Sequence, residues 1–507
     1  MKHHRRFSII VILALLLSLW ATSSSVPVRS VKAAGKTIIY NLYATDGWQT
    51  LADGTTLYTY GFVGGRQGVP LTFAKSSKDG KPAGNVTMAG GAPAPTPGAM
   101  TTQEAQLAGN AQFPAPVIYA SVGDVVEIRL KNLGVTDPNA PNDPHSIHLH
   151  GLDVDAANDG VPETSIGAVP VSTEPVDNDA DDALHGEGNV VVYMFTPKYA
   201  GTYMYHCHQE ADIHVQMGMY GALVVYNPDD PAAATGPGVG KGGTLYGWHY
   251  DRDYVLLLSE VDVNQHTSEE NSENPGFNPV DYKPQYWFIN GLSFPNTIHV
   301  GLNWNDWIAS HPNYDPFIIG SIGLKHANSN ITNGEKVLIR MINMGFETQP
   351  MHMHGFHGKI IGSDQRAWTW ANDPAKTAFG EGLEKNTVTI GSGETYDWLV
   401  DFGQQSMSTA TYAPASNGEP ASVFPGGSET RYDAKGVPVS NTTTSDPVMP
   451  VPGKDPPVTY IGGPKVTGAI GLPTQGQLFP FHNHDDYKAT NDGDYPGGMF
   501  TMLMTIP

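Results

Sequence analysis

The stretch Gly123-Asp-Val-Val-Glu-Ile-Arg-Leu-Lys-Asn-Leu-Gly134 returns in the second half of the chain as Gly334-Glu-Lys-Val-Leu-Ile-Arg-Met-Ile-Asn-Met-Gly345. Each copy reads as a short strand rich in Val, Ile and Leu and closed by glycine. Working outward, three further segments recur in the same order. HSIHLHG at 145–151 is echoed by QPMHMHG at 349–355, YHCH at 205–208 by FHNH at 481–484, and GMY at 218–220 by GMF at 498–500. Two copies of one domain explain four echoes in register better than coincidence does.

Other segments have the same strand character: Val117–Ala120, Val125–Leu130, Val190–Phe195 and Leu223–Tyr226, then Tyr254–Leu258, Val337–Ile342, Thr387–Ile390 and Trp398–Val400. No long amphipathic helix is evident. The pattern predicts an all-β chain of two Greek-key β-sandwich domains. The first domain is expected over 35–227 and the second over 244–507, joined by a Gly/Pro/Ala-rich linker at 228–243. A Pro/Gly/Ser/Thr-rich stretch near 403–476 reads as an insertion, and Ala89–Pro116 as a loose segment of the first domain.

The chain has 507 residues, too many for one ordinary core, with 57 Gly and 40 Pro. Lys2, Arg5 and Arg6 precede an apolar run from Phe7 to Ala21. With small residues following, 1–34 reads as a signal peptide cleaved near Ala34 or Gly35, which implies an extracytoplasmic mature protein, secreted or periplasmic. The general secretory route fits better than twin-arginine export, because the spacing from Arg5-Arg6 to Phe7 is wrong for the latter. No other apolar stretch is long enough to span a membrane. The net charge is −22, and removing 1–34, with five basic and no acidic side chains, makes it more negative. Such a surface repels nucleic acid and anionic lipid and favours neutral or cationic substrates. Cys207 is the single cysteine, so a protein exported to an oxidising compartment is held without a disulfide.

Cys207 lies between two histidines, and its neighbourhood explains its use. His145, Cys207, His214 and Met219 offer two imidazoles, a thiolate and a thioether, the donor set of a trigonal blue-copper centre with a long axial bond. Met217 is the rival axial donor; the turn ending Gly218-Met219 favours Met219. Four H-x-H pairs follow: His148/His150, His206/His208, His352/His354 and His482/His484. On a strand, residues two apart share a face, so each pair aims two imidazoles to one side. Eight imidazoles in matched pairs suit a cluster of three coppers, with four ligands from each domain; two separate mononuclear histidine sites, or stray zinc binding, are the alternative, and the pairing by the repeat argues against stray sites.

The motifs HSIHLHG, HCHQEADIHVQMGM (206–219), HMHG (352–355) and HNH resemble those of the multicopper oxidases, most closely the two-domain, laccase-like members with type 1 copper in the first domain. The resemblance spans the expected mature chain and implies cupredoxin-like domains and four coppers per chain. It implies type 1 copper at His145, Cys207, His214 and Met219, and type 2 copper at His148 and His352. The type 3 pair would fall to His150, His206, His208, His354, His482 and His484. Gln349 and Asn483 stand where His145 and Cys207 do, so the second domain has no blue centre. The spacing from Cys207 to His214 is longer than in most three-domain laccases.

In that family a small-molecule reductant gives up electrons one at a time near His214, and dioxygen is reduced to water. Proton delivery calls for a carboxylate, with Asp159, Glu210 and Asp485 as the candidates. His357 reads as a hydrogen-bond partner of a ligand. Two-domain members close the cluster between neighbouring chains, which predicts a homotrimer; a monomer closing the cluster internally is the alternative. The competing functions are a copper nitrite reductase, whose catalytic copper needs only three histidines; a metallo-oxidase of Cu(I), Fe(II) or Mn(II); and a copper store or electron carrier. Met351, Met353, Met499, Met502 and Met504 read as core side chains rather than a soft-metal patch.

Overall fold

The computed structural model describes residues 35–506, apart from 81–83, 172–187, 237–241, 272–276, 299–317, 322–333, 369–382 and most of 405–476. The expected signal peptide and nearly all of the expected insertion lie outside the described residues. The chain is all-β, with short helices only; the longest described helix, Val263–Glu270, has eight residues. Among the described residues, no helix is long and apolar enough to cross a membrane.

The first domain pairs two four-stranded sheets. One runs in the order Thr56–Arg66, Thr37–Thr50, Val125–Asn132, Val190–Phe195. The other runs Ile118–Ser121, Tyr220–Tyr226, Gly201–His206, His148–His150. Val126, Ile128 and Leu130, two apart along one strand, are all fully buried in the core between them, together with Leu149, Tyr203, Tyr205 and Cys207. The second domain repeats the plan. Arg252–Val261 lies parallel to Lys336–Asn343, which pairs antiparallel with Thr395–Asp401. In its other sheet Ile318–Ser321, Phe500–Ile506, Gln477–Asn483, Gln349–Met353 and Thr387–Ile390 follow in order. The eight expected strands all appear, most of them a few residues longer. The two longest neighbours in the first domain, Thr37–Thr50 and Thr56–Arg66, were missed because their Tyr, Thr and Gly mixture carries no clean alternation.

A third apolar cluster joins the domains: Phe113, Val117, Met204, Tyr220, Ala222 and Val224 from the first meet Val255, Leu257, Phe288 and Ile342 from the second. Burying each large apolar side chain contributes roughly 1.5–3 kcal/mol, so this junction has the character of a core. The expected linker takes part in it. Ala232–Thr235 is a helical turn whose Ala232 is fully buried in the junction, and Gly243–Leu245 pairs with Trp248–Tyr250. The segment read as loose is pinned too: Glu104 and Lys131, both fully buried, form an ion pair at 2.9 Å. Also at the junction, Arg340 binds Asp253 at 2.9 Å and donates to Thr202 Oγ1 at 3.2 Å.

Candidate metal centres

Cys207 follows the last residue of its strand, and the turn Ala211–His214 brings His214 back onto it. Cys207 Sγ lies 3.8 Å from His145 Nδ1 and 3.5 Å from His214 Nδ1. A trigonal metal with bonds of ~2.3 Å to sulfur and ~2.0 Å to nitrogen separates its donors by ~3.7 Å. The spacing therefore fits one ion bound by all three. Ser146 N–H donates to the sulfur at 3.4 Å. Cys207, His145 and His214 are buried, as are Met219 and Met217. Met219 is tied to the centre by its backbone, its N–H donating to His214 O at 3.0 Å and its carbonyl accepting Cys207 N–H at 2.9 Å. Burial holds the His145 pKa well below the ordinary histidine value. Burial pulls His214 the same way, but the Asp143 carboxylate and the Cys207 sulfur outweigh it and hold that ring up, at about 10.

The strand pairing assembles the other histidines into two quartets. His148 stands directly opposite His206, and His352 directly opposite His482. In the first quartet, ring centres are 5.6 Å apart for His148 and His150, 5.1 Å for His148 and His206, and 5.2 Å for His148 and His208. In the second, they are 4.9 Å for His352 and His354, 5.1 Å for His352 and His484, and 5.3 Å for His354 and His482. Among the described residues, which include all eight, no ring contact joins one quartet to the other. His354 and His484 are exposed, so the second quartet opens onto the surface.

The ring tautomers follow from the partners. A carbonyl oxygen only accepts, so His148 Nδ1–H donates to Asp159 O at 2.7 Å, His206 Nδ1–H to Cys207 O at 2.8 Å, and His482 Nδ1–H to Asn483 O at 2.8 Å. The Nε2 lone pairs of these rings are thereby left for a metal. His352 Nδ1 meets Thr387 Oγ1 at 2.8 Å, and that hydroxyl spends its own hydrogen on Asn386 Oδ1. His354 Nε2 and His482 Nε2 are 3.1 Å apart, the gap that one ion bound to both at ~2.0 Å would set. Burial lowers the pKa values of His150, His352, His354 and His482, and takes His206 down to about 3, so these rings are neutral and available as ligands near neutral pH.

The three carboxylate candidates part company. Asp159 Oδ1 lies 3.3 Å from His148 Nδ1, at the edge of the first quartet. Glu210 stands at the Cys207 centre instead, where it, Asp143 and His214 bring donor atoms within 4.8 Å of one another. Asp485 turns to Lys488 at 3.4 Å, and it is Asp486 that reaches His482, at 3.8 Å. His357 is exposed and donates to none of the quartet residues. Met351, Met353, Met499 and Met502 are buried core side chains, while the Met504 side chain lies outside the described residues. Sequence reasoning missed Asp143, Asp486, Thr387 and Tyr60, whose ring packs against both His145 and His214 at 6.0 and 5.7 Å. Only Asp143, two residues before His145, carried a local signal.

Fold and site together define a duplicated β-sandwich protein with a buried cysteine–imidazole centre and two imidazole quartets. Residues 91–229 and 312–404 match the multicopper oxidase family profile. It is 27% identical over 330 residues to copper resistance protein A of Escherichia coli, covering 60% of this chain and 45% of that protein. It is 30% identical over 184 residues to L-ascorbate oxidase of Nicotiana tabacum, covering 36% of this chain and 25% of that protein. The chain thus spans less than half the length of these curated relatives. The blue copper oxidase of Nitrosomonas europaea aligns over 93% of this chain and 86% of its own, at 19% identity and a TM-score of 0.48.

Proposed function

We propose that this protein is a laccase-like multicopper oxidase with type 1 copper at His145, Cys207, His214 and Met219 and a trinuclear cluster divided between the two quartets. Bound copper would supply one-electron oxidation of a small reductant, a phenol or aromatic amine, and reduction of dioxygen to water. The observation that carries the reading is the tripeptide His206-Cys207-His208. Its thiol lies in the buried centre while its two imidazoles belong to the first quartet, so one short covalent path connects the two sites. His214 is the electron-entry ligand. Asp159 is the proton relay, one side chain from His148 and one-third exposed to solvent.

The second quartet is open to solvent and no ring contact joins it to the first among the described residues, which supports closure by a neighbouring chain, and so a homotrimer. Copper stoichiometry with an optical spectrum tests the whole reading. Four coppers per chain, an intense blue band and a near-ultraviolet band from a coupled pair are expected; one copper, or zinc, sinks it. Oxygen uptake with a phenol, set against nitric oxide release from nitrite, separates an oxidase from a nitrite reductase.

A second reading, oxidation of Fe(II) or another reducing cation, is favoured by Asp143 and Glu210 beside His214. Hard carboxylate oxygens would hold a divalent cation against the entry ligand. Changing Asp143→Asn together with Glu210→Gln should lower kcat/KM for Fe(II) about tenfold, ~1.4 kcal/mol of transition-state stabilisation, and leave phenol oxidation nearly unchanged. Equal losses on both substrates would exclude this reading.

A further inference from the structure

The second domain keeps the backbone frame of the Cys207 centre and fills it with other side chains. In the first domain Cys207 N–H donates to Met219 O at 2.9 Å and Met219 N–H to His214 O at 3.0 Å. In the second, Asn483 N–H donates to Met499 O at 2.9 Å and Met499 N–H to Lys488 O at 2.9 Å. The strand register agrees, with Tyr220 opposite His206 and Phe500 opposite His482. Lys488 therefore stands where His214 does. The repeat hides this correspondence, because the loop from Lys488 to Met499 is longer than that from His214 to Met219.

Gln349, Asn483, Lys488 and Met499, the four counterparts of the Cys207 centre, are all buried. Asn483 Nδ2 donates to Gln349 Oε1 at 2.6 Å and to Met499 Sδ at 3.4 Å. Gln349 Nε2 donates to Glu260 Oε2 at 2.7 Å. Glu260, itself buried, also accepts from Phe346 N–H, from Glu347 N–H at 2.9 Å and from Tyr282 Oη–H at 3.2 Å. The Lys488 ammonium turns away from the centre, donating to Thr348 O at 2.7 Å with Glu347 and Asp485 at 3.3 and 3.4 Å. What remains is a closed amide chain anchored on one carboxylate, with donors and acceptors matched.

Asn483 sits between His482 and His484 as Cys207 sits between His206 and His208. A metal bond to Cys207 would fix the side chain at the middle of the first tripeptide; in the second, only hydrogen bonds can do so. We propose that Glu260, Gln349, Asn483 and Met499 are positioning residues for the second quartet, doing with hydrogen bonds what a metal on Cys207 does in the first domain. The chain fixes the backbone between His482 and His484, so that both imidazoles project to the same side as His352 and His354. This rests on the reading of the quartets as copper ligands.

The test uses the full-length, copper-loaded protein. Asn483→Ala leaves Gln349 Oε1 buried without its donor. It should lose the near-ultraviolet band and the cluster copper while keeping the blue band of Cys207, which also reports that the chain has folded. A second variant combines Gln349→His, Asn483→Cys and Lys488→His on the same frame. It should bind one further copper and raise the blue absorbance per chain about twofold. Full copper and an unaltered near-ultraviolet band in Asn483→Ala overturn the proposal, as does a triple variant with no added blue absorbance. Failure of the underlying reading looks different: the wild-type chain itself then lacks the near-ultraviolet band, and the proposal falls with it.

Discussion

Asp159 acts on His148 through two different groups. Its backbone carbonyl accepts the ring Nδ1–H at 2.7 Å, while its carboxylate lies 3.3 Å from the same nitrogen and reaches solvent. Asp159→Asn keeps the first and removes the second. It should therefore hold copper at the wild-type level yet turn over about a hundredfold more slowly, with a changed pH–rate profile, as expected for loss of a proton-transfer group. Lost copper with normal turnover per bound ion would assign Asp159 to ligand placement instead. His206 makes a separate prediction in the copper-free chain. Burial depresses its pKa from an ordinary value near 6.5 to about 3. The unfolded chain then takes up a proton that the folded chain refuses. Stability is full above about pH 6.5 and falls by about 1.4 kcal/mol per pH unit as the pH drops toward 3. Urea unfolding of the copper-free protein across that range measures the slope, and a flat profile contradicts it.

At the scale of strands and turns, the histidine placement was legible because a strand's period is fixed: residues two apart cannot help sharing a face. The same reading found Val125–Leu130 and its counterpart Val337–Ile342, each two residues shorter than the strand in the structure. It could not find Thr387, Asp486 or Lys488, which reach their partners across sheets and loops whose lengths differ between the two copies. Nor could it separate Asp159 from Glu210, since both follow a histidine motif and only the turns decide which centre each faces. The turn after Asp159 is a case in point. Gly160 has φ +72°, and a Cβ there would meet the Ile147 carbonyl in hard overlap. Gly160→Ala should push the turn off the strand that carries His148 and cost about 2–4 kcal/mol. The expected signs are a lower thermal midpoint and a weakened first quartet, read as reduced copper content. An Ala variant with wild-type stability and full copper would show that the turn is free to move.

At the scale of the whole molecule, no ring contact joins the two quartets among the described residues. If neighbours complete them, a chain carrying His150→Ala and a chain carrying His354→Ala are each inactive alone but complementary. Co-refolded in equal amounts, they should recover about a quarter of wild-type oxidase activity, because random assembly places an intact first quartet against an intact second quartet at about one interface in four. A monomer that closes its cluster internally recovers none. The buried Cys207, alone of its kind in 507 residues, bears on the molecule as a whole in another way. Apolar packing and the Arg340 contacts hold the domains together, and no covalent bridge crosses between them. With a single cysteine, one chain can hold no internal disulfide, so thiol reagents strong enough to unravel cross-linked proteins find no bridge within it to cleave.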